Sequence, residues 1–158
     1  MGPAQFSSPV NDRYFEDYKK GRVYEFGAVP VRQADVISFA AQFDPQVFHT
    51  DPAAARQTIY GGLIASGWHT CAIMMRLFVD HYLSHVASLG SPGVDALQWL
   101  QPVRPGDRLS LRVTIVDTRR SKSKPDRGIV QSFIEVLNQN RDVVMRMDAV
   151  NFLLCRNR

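Results

Sequence analysis

Hydrophobic and polar residues follow two different periods along the chain, and the change falls near Gly90. Before Gly90, apolar residues recur at intervals of three and four positions, which is the period of an amphipathic α-helix. After it, apolar and polar residues alternate, as they do from Leu109 to Ile115, and this is the period of a half-buried β-strand. A helical first half followed by strands with no helices between them predicts an antiparallel α+β domain.

The first half contains one predicted strand and three predicted helices. The first helix ends before Asp44-Pro45. The second begins at Asp51-Pro52, a pair typical of an N-cap and the first helical position. Gly61-Gly62 interrupts the chain before the third helix. The predicted ranges are Tyr24–Val31 for the strand, 34–43 and 51–57 for the first two helices, and 66–84 for the third.

The third predicted helix carries apolar side chains around most of its circumference. A helix of that kind is buried on nearly all sides, so we expect the rest of the chain to wrap around it. The second half supplies four predicted strands, joined as a meander by turns at Pro102–Asp107 and Gln139–Arg141. With the first strand they form a curled antiparallel sheet of about five strands. The four strands are expected at Val94–Leu100, Arg108–Asp117, Gly128–Asn138 and Asp142–Leu154.

The composition is that of an average globular protein, with 45% of the 158 residues hydrophobic and 22% charged. We expect a single domain over residues 1–158. No stretch has the roughly 18 apolar residues of a membrane span, and residues 1–20 lack the apolar run of a signal peptide. Two separated cysteines, Cys71 and Cys155, suit reduced thiols. A cytoplasmic location without membrane contact is therefore expected.

The net charge of +4 favours anionic partners. The basic residues concentrate in Arg119–Arg127. One interpretation of this segment is a solvated hairpin loop, because runs of like charge are usually exposed to water; the other is contact with phosphate groups. No recognition helix or aromatic platform accompanies the charge, so nucleic acid is not an expected partner.

Four polar residues with catalytic potential lie in one short predicted loop between the first two helices. They are Asp44, Gln46, His49 and Asp51. Loops held by rigid elements often carry catalytic groups, and an imidazole and a carboxylate at this spacing are able to share one water molecule. The structural alternatives are a capping or core-edge role for His49 and, because Pro52 follows it, an N-cap role for Asp51.

The second candidate element is the glycine-containing segment Tyr60–His69, which leads into the long predicted helix. Free N–H groups at a helix start lie at the positive end of its dipole and are able to stabilise an oxyanion. The alternative is that the glycines only let the helix begin close to the sheet. No metal-ligand spacing, phosphate loop or Gly-x-Ser-x-Gly elbow is present. We expect His69, one turn into the helix, to be buried and hydrogen-bonded.

Two segments, Phe43–Pro52 and Tyr60–Thr70, resemble the MaoC-like dehydratase family. Trp99–Asp107 looks like the strand-turn-strand segment of the same family, and the resemblance covers about Tyr14–Cys155. It implies the hot-dog fold, in which a curled antiparallel sheet wraps a long central helix. It also implies homodimers or larger assemblies, with active sites near the shared interface.

Similar enzymes in this family are (R)-specific enoyl-CoA hydratases, which add water to a trans-2-enoyl thioester or catalyse the reverse dehydration. Their motif is Asp-x-Asn-Pro-(Ile/Leu)-His, and Asp44 and His49 match its first and last positions. By this similarity, His49 takes a proton from the water and Asp44 orients the water or protonates the α-carbon. Gly67 matches the glycine whose N–H faces the thioester carbonyl.

The chain departs from the family pattern at three positions. Gln46 and Val47 stand where the motif has Asn and Pro, and Ser66 stands where a histidine commonly precedes the glycine. No metal or separate cofactor is expected, because coenzyme A is part of the substrate and its phosphates suit the basic excess. The expected site has Asp44, His49 and Gly67 as catalytic residues and Gln46, Gly62 and Ser66 as substrate-binding residues.

Two other functions remain open for this fold class. A hot-dog thioesterase needs a carboxylate on or near the central helix, and Gly67 to Val79 supplies none. A non-catalytic acyl-CoA-binding protein has the same fold without the chemistry, and in that case Asp44 and His49 would diverge.

Overall fold

The computed structural model describes residues 2–157 and has the α+β architecture that the sequence pattern predicts. The strands are β1 Val23–Pro30, β2 Val94–Trp99, β3 Arg108–Arg120, β4 Arg127–Leu137 and β5 Val143–Leu154. The helices are α1 Gln33–Phe43, α2 Val47–Thr50, α3 Pro52–Ala55 and α4 Gly67–His81. The strands form one antiparallel sheet in the order β1-β3-β4-β5-β2. None of the helices within residues 2–157 has the length and apolar character needed to cross a bilayer.

The core lies between α4 and the inner face of the sheet. Alternate residues of β3, from Leu109 to Ile115, are fully buried, and the residues between them are not. The predicted strand alternation is therefore confirmed. From α4, Met74, Leu77 and Phe78 pack into the same cluster. The exposed side of α4 is wider than predicted: Trp68, Met75 and Val79 are 58%, 44% and 37% accessible. In a single chain, the sheet does not enclose the whole helix.

The order of the strands differs from the predicted meander. β3, β4 and β5 pair consecutively, but β2 pairs with β5 at the far edge instead of with β3. The chain returns from β2 along residues 100–107, past the start of α4, where Val103 accepts a 2.7 Å hydrogen bond from the N–H of Ala65. Hydrophobic alternation identifies strand residues, whereas this pairing depends on a crossing between distant segments.

The basic segment forms the tip of the β3–β4 hairpin, so its interpretation as a solvated hairpin is confirmed. Arg120 donates to the carbonyl oxygen of Pro125 at 2.6 Å. On the same part of the sheet, Lys20 forms a 3.0 Å ion pair with Asp117 of β3. Both cysteines are free thiols, as predicted.

Arg13 closes the C-terminal end of α4. Its guanidinium is buried and donates to the carbonyl oxygens of His81 at 2.7 Å and Tyr82 at 2.9 Å. It also donates from two nitrogens to the carbonyl of Ser8, at 2.8 and 3.2 Å. The Tyr18 hydroxyl adds a 2.8 Å hydrogen bond to the carbonyl of Tyr82. The last carbonyls of the helix are thus satisfied by the segment that precedes β1.

Candidate active site

The two principal candidate residues lie on either side of a tight connection between α1 and α2. Asp44 is the C-cap of α1, and its N–H donates to Ala40 at 2.9 Å. Gln46 occupies the N-cap position of α2 without a side-chain capping bond, and His49 lies within the single turn of this helix and points inward, 5% exposed. The sequence analysis placed His49 in a loop. That prediction is wrong by one turn of helix, because four residues carry too little periodicity to be recognised.

Asp44 and His49 form a close pair. Asp44 Oδ2 is 3.2 Å from His49 Nε2, and the two side chains are 19% and 6% accessible. His49 Nδ1 is 2.7 Å from the carbonyl oxygen of Ile64. Because a carbonyl only accepts, we assign the Nδ1 proton to His49, which leaves Nε2 facing the carboxylate. A bare nitrogen and a carboxylate at this distance would repel, so the pair holds one proton between them.

Two further side chains hold the Asp44 carboxylate. Gln46 Nε2 donates to Oδ1 at 2.7 Å, and Ser66 Oγ donates to Oδ2 at 2.7 Å. The bond from Gln46, followed by that from Ser66 and the charge of His49, lowers the pKa of Asp44 below its usual value, and partial burial opposes the shift. These contacts therefore favour the ionised form of the Asp44 carboxyl.

Ser66 connects this carboxylate to the start of α4. Its hydroxyl is the N-cap of the helix and accepts the N–H of Trp68 at 3.3 Å while it donates to Asp44. Ser66 is fully buried. A thioesterase needs a carboxylate on or near this helix, and residues 67–79 supply none. The structure places one beside the helix start from elsewhere, because Asp44 reaches Ser66 from a distant part of the chain.

Gly67 is the first residue of α4, and its N–H has no acceptor among residues 2–157. A Cβ on residue 67 would overlap the indole ring of Trp99, so only glycine fits there. The close approach of a neighbouring side chain, rather than of the sheet backbone, is what requires the glycine. The N–H is positioned at the positive end of the helix dipole.

Part of this group lines a cavity of about 380 Å³, whereas Asp44 and Ser66 are not among its lining residues. His49 and Gly67 lie on its wall, and most of the other lining residues are aromatic or aliphatic. A largely apolar cavity with a few convergent polar groups is typical of a small-molecule site. The lining residues are Gln46, Phe48, His49, Tyr60, Ile64, Ala65, Gly67, Thr70, Trp99, Leu100, Gln101, Pro102 and Val103.

The structure brings most of the candidate residues together and leaves two apart. Asp51 caps α3, accepting the N–H groups of Ala53 and Ala54 at 2.9 and 3.0 Å, as its N-cap interpretation predicts. Gly62 is not among the residues that line the cavity and lies against the side chain of Arg104 instead. Among residues 2–157, no three His, Cys, Asp or Glu side chains are grouped as metal ligands would be.

His69 differs from its prediction in one respect. It is buried, as expected, but its Nδ1 has no hydrogen-bond partner among residues 2–157. The ring stacks on Phe39 of α1 with centroids 4.9 Å apart. Burial lowers the pKa of His69, which favours the neutral ring that this stacking accommodates.

Sequence reasoning missed the aromatic walls of the cavity. Phe48 and Tyr60 lie beside recognised motif residues, and Trp99 begins the segment recognised as strand-turn-strand. The only signal was their position next to candidate polar residues. Side-chain direction, which decides what lines a cavity, does not follow from that.

Comparison with known proteins agrees with this architecture. The family model for the MaoC-like domain matches residues 17–138. The crystal structure of a MaoC-like dehydratase from Rhodospirillum rubrum is 40% identical and covers 92% of this chain and 99% of its own, with a TM-score of 0.85.

Two more distant structures share the fold. An unliganded R-hydratase from Pseudomonas aeruginosa is 22% identical, with a TM-score of 0.72 over 90% of this chain and 85% of its own. A Mycobacterium tuberculosis protein with a double hot-dog fold is 15% identical, with a TM-score of 0.80 over 95% of this chain and 46% of its own. The fold is the hot dog, as the resemblance implied.

Proposed function

Because this chain belongs to the family of MaoC-like dehydratase domains, we propose that it catalyses the reversible addition of water to a trans-2-enoyl-CoA thioester, giving a 3-hydroxyacyl-CoA. The observation that carries the proposal is the Asp44–His49 pair, with Oδ2 and Nε2 3.2 Å apart, whose His49 lines the same cavity as Gly67. A paired acid and base beside a free helix N–H is the set of groups that this reaction needs.

The single proton of the pair serves both directions of the reaction. Hydration begins once the proton of the pair has moved to Asp44. Neutral His49 Nε2 then accepts a proton from water as the hydroxyl adds to the β-carbon, and Asp44 gives its proton to the α-carbon. That step leaves an imidazolium and a carboxylate, which is the state that begins dehydration. The two starting states differ only in which partner carries the proton, and the short Oδ2–Nε2 separation allows its transfer.

Gly67 stabilises the charge that develops on the thioester oxygen. When a proton leaves or reaches the α-carbon, negative charge builds up on that oxygen as an enolate. The N–H of Gly67, at the positive end of α4, is a fixed donor for it. Loss of such a donor typically costs about 10²–10³-fold in kcat. The apolar wall of Phe48, Ile64 and Val103 receives the acyl chain.

The close pair favours this function over a non-catalytic acyl-CoA-binding protein, in which Asp44 and His49 would have no reason to converge. Thioester hydrolysis is the second candidate, favoured by the hydrogen bond between Asp44 and the N-cap Ser66. The two reactions differ in the carbon that water attacks. Hydration consumes the double bond, and hydrolysis releases free coenzyme A thiol.

We also propose that the chain forms a homodimer through α4 and β2. Trp68, Met75 and Val79 expose apolar area on the helix, and β2 is an edge strand whose Val94 is 49% accessible. An edge strand beside an apolar face is a pairing surface. Light scattering after size-exclusion chromatography measures the mass, and twice the chain mass of 17.8 kDa is expected; a monomer at micromolar concentration would contradict it.

The absorbance of the conjugated enoyl thioester tests the function directly. We expect turnover of crotonyl-CoA and longer enoyl-CoA substrates by the wild type, with a loss of about 10²–10⁴-fold in His49→Ala. His85→Ala is the matched control, because His85 is exposed and the one partner of its side chain within residues 2–157 is the carbonyl of Val79, at 2.8 Å. Thiol release without loss of the double bond would assign hydrolysis instead. Binding without either reaction would assign a non-catalytic role.

A further inference from the structure

Trp99 of β2 lies against the first residue of α4. Its indole N–H donates to the carbonyl oxygen of Gly67 at 2.9 Å. The same ring occupies the space where a Cβ of residue 67 would stand. The indole therefore contacts both the backbone of Gly67 and the cavity that Gly67 lines.

The start of a helix is where backbone direction is least constrained. The first N–H groups have no intrahelical acceptor, so half of the hydrogen bonding that fixes later residues is missing. Glycine adds conformational freedom that any other residue would lack. Ser66 holds the Gly67–Trp68 peptide through a long 3.3 Å bond from the N–H of Trp68. Trp99 adds the shorter 2.9 Å bond to the carbonyl of the same peptide, and its ring limits the space around Gly67.

We propose that Trp99 is a positioning residue, which holds Gly67 so that its N–H faces the thioester carbonyl. The inference rests on the proposed function and adds to it a residue outside the Asp44–His49 motif. The bond to the Gly67 carbonyl fixes the plane of the Gly67–Trp68 peptide. The ring packed against the Gly67 Cα restricts rotation of the Ser66–Gly67 peptide, which carries the N–H. Together they hold the N–H in one direction before substrate binds, so no reorganisation is needed in the transition state.

The neighbouring tryptophan is a natural control. Trp68 touches Trp99 edge-on with ring centroids 5.2 Å apart and is 58% accessible. Its side chain makes no hydrogen bond with Gly67 among the described contacts. Trp68 and Trp99 are the two tryptophans of the chain, so each Trp→Phe variant keeps one fluorescent reporter beside the cavity for measuring ligand affinity.

Steady-state kinetics of the two Phe variants form the first test. Trp99→Phe keeps an aromatic ring but loses the donor, so kcat for crotonyl-CoA should fall about tenfold, less than the 10²–10³-fold that loss of the whole oxyanion donor costs. KM should stay within about twofold, because the interaction strengthens only in the transition state. Trp68→Phe should retain wild-type kcat. Trp99→Leu, which removes ring and donor, should lose about 100-fold.

The thioester carbonyl itself is the second test. Butanoyl-CoA has no double bond and no 3-hydroxyl, so a hydratase binds it without reacting, and a ¹³C label on its carbonyl identifies the infrared band. A hydrogen bond from Gly67 lowers the frequency of that band. We expect a shift to lower frequency in wild type and Trp68→Phe, and a smaller shift in Trp99→Phe. Loss of stability alone would not change this band in the folded, ligand-bound fraction.

The outcomes separate this inference from the proposed function. Equal kcat and equal carbonyl shifts in wild type and Trp99→Phe would overturn the role of Trp99 and leave the hydratase proposal intact. A carbonyl shift that depends on Trp99, in a protein that turns over no enoyl-CoA, would support the role of Trp99 and overturn the hydratase. If butanoyl-CoA changed the fluorescence of neither the wild type nor the two Phe variants, the protein would not bind the thioester, and both proposals would be overturned.

Discussion

The two ends of α4 differ in how their terminal backbone groups are hydrogen-bonded. At its C-terminal end, the buried Arg13 guanidinium and the Tyr18 hydroxyl take up the carbonyls of the last turn. At its N-terminal end, Ser66 caps the N–H of Trp68 but also donates to Asp44, and the N–H of Gly67 has no acceptor among residues 2–157. One end is saturated by the chain itself, and the other keeps a donor available for a ligand.

From this difference we expect the C-terminal end of the helix to contribute mainly to stability and the N-terminal end mainly to chemistry. Unsatisfied polar groups cost folding free energy to the extent that they are buried, and Gly67 is half-buried, so the first turn is less stable than it would be with full capping. That cost is acceptable where a ligand completes the bonding, and it is avoided at the other end. Variants at the start should therefore change catalysis, and variants at the end should change the free energy of unfolding.

The largest expected effect is on catalysis at the start. Asp44→Asn keeps the shape of the side chain but cannot carry the proton of the pair, so kcat should fall about 10²–10⁴-fold with a small change in Tm. Enoyl-CoA absorbance and thermal unfolding measure the two effects. Asp51→Asn is the matched control, because Asn also serves as an N-cap. Equal activity in the two variants would remove Asp44 from the chemistry.

The next effect is on stability at the opposite end. Arg13→Met fills much of the same volume but leaves the carbonyls of His81 and Tyr82 without their donor. The free energy of unfolding in urea should fall by about 3 kcal/mol, since hydrogen bonds to charged groups contribute roughly 1.5–3 kcal/mol. The kcat of the folded protein should remain at the wild-type value.

Arg76→Met is the control for Arg13, because Arg76 lies on the same helix with its side chain 80% accessible and pairs with Asp80 on the surface. Its loss should cost under about 0.5 kcal/mol. If Arg13→Met lowered kcat as strongly as Asp44→Asn, the two ends would not be functionally separate.

A pH titration tests the electrostatic environment of Asp44 beside the N-terminal end of α4. The hydrogen bond from Gln46 lowers the pKa of Asp44, so the ionised carboxylate stabilises the fold above the unfolded carboxyl pKa of about 3.9. This contribution is lost as the pH falls through the lower folded value. Gln46→Ala should raise the pKa of Asp44 towards its usual value and move the titration of that carboxyl to higher pH.

The titration of Asp44 is measurable from ¹³C chemical shifts of the side-chain carboxyl. Gln42→Ala is the matched control, since Gln42 is an exposed glutamine on α1 whose side chain, in the part of the chain that the structure describes, bonds to the carbonyl of Ser38 alone. An identical titration in wild type and Gln46→Ala would show that the bond seen between Gln46 Nε2 and Asp44 Oδ1 has no electrostatic effect.

The last prediction concerns the start of α3, a helix outside the candidate site. Asp51 caps α3 through the N–H groups of Ala53 and Ala54, in the same way that Ser66 caps α4. Asp51→Ala should lower the free energy of unfolding by about 1 kcal/mol and leave kcat unchanged. Chemical denaturation and the absorbance assay provide both values. A loss of activity larger than the loss of folded protein would give Asp51 a second role.

Much of the fold could be predicted from the sequence, and the rest depends on contacts between distant segments. The alternation from Leu109 to Ile115 and the Asp51-Pro52 pair are local signals, and the structure confirms both. The pairing of β2 with β5, and the open side of α4 around Met75, depend on how distant segments cross. Periodicity along one segment holds no information about either.

The candidate site divides in the same way. Motif spacing identified Asp44 and His49, and the structure brings them together. It did not identify Trp99 as the side chain that requires glycine at position 67, because that contact joins an edge strand to a helix start across 32 positions of sequence. Residue type and spacing are enough to predict a pair of side chains that lie close together in the sequence. They are not enough to predict a contact between two separate elements.

The position of the lysines has a practical consequence. The four lysines of the chain are Lys19, Lys20, Lys122 and Lys124. Lys20 pairs with Asp117, and the last two lie at the β3–β4 tip. Along the sheet, Trp99 is level with Leu111, several residues away from both places. Coupling through side-chain amines to a bead, a dye or an electrode would therefore attach the molecule at one end and leave the cavity facing the solution.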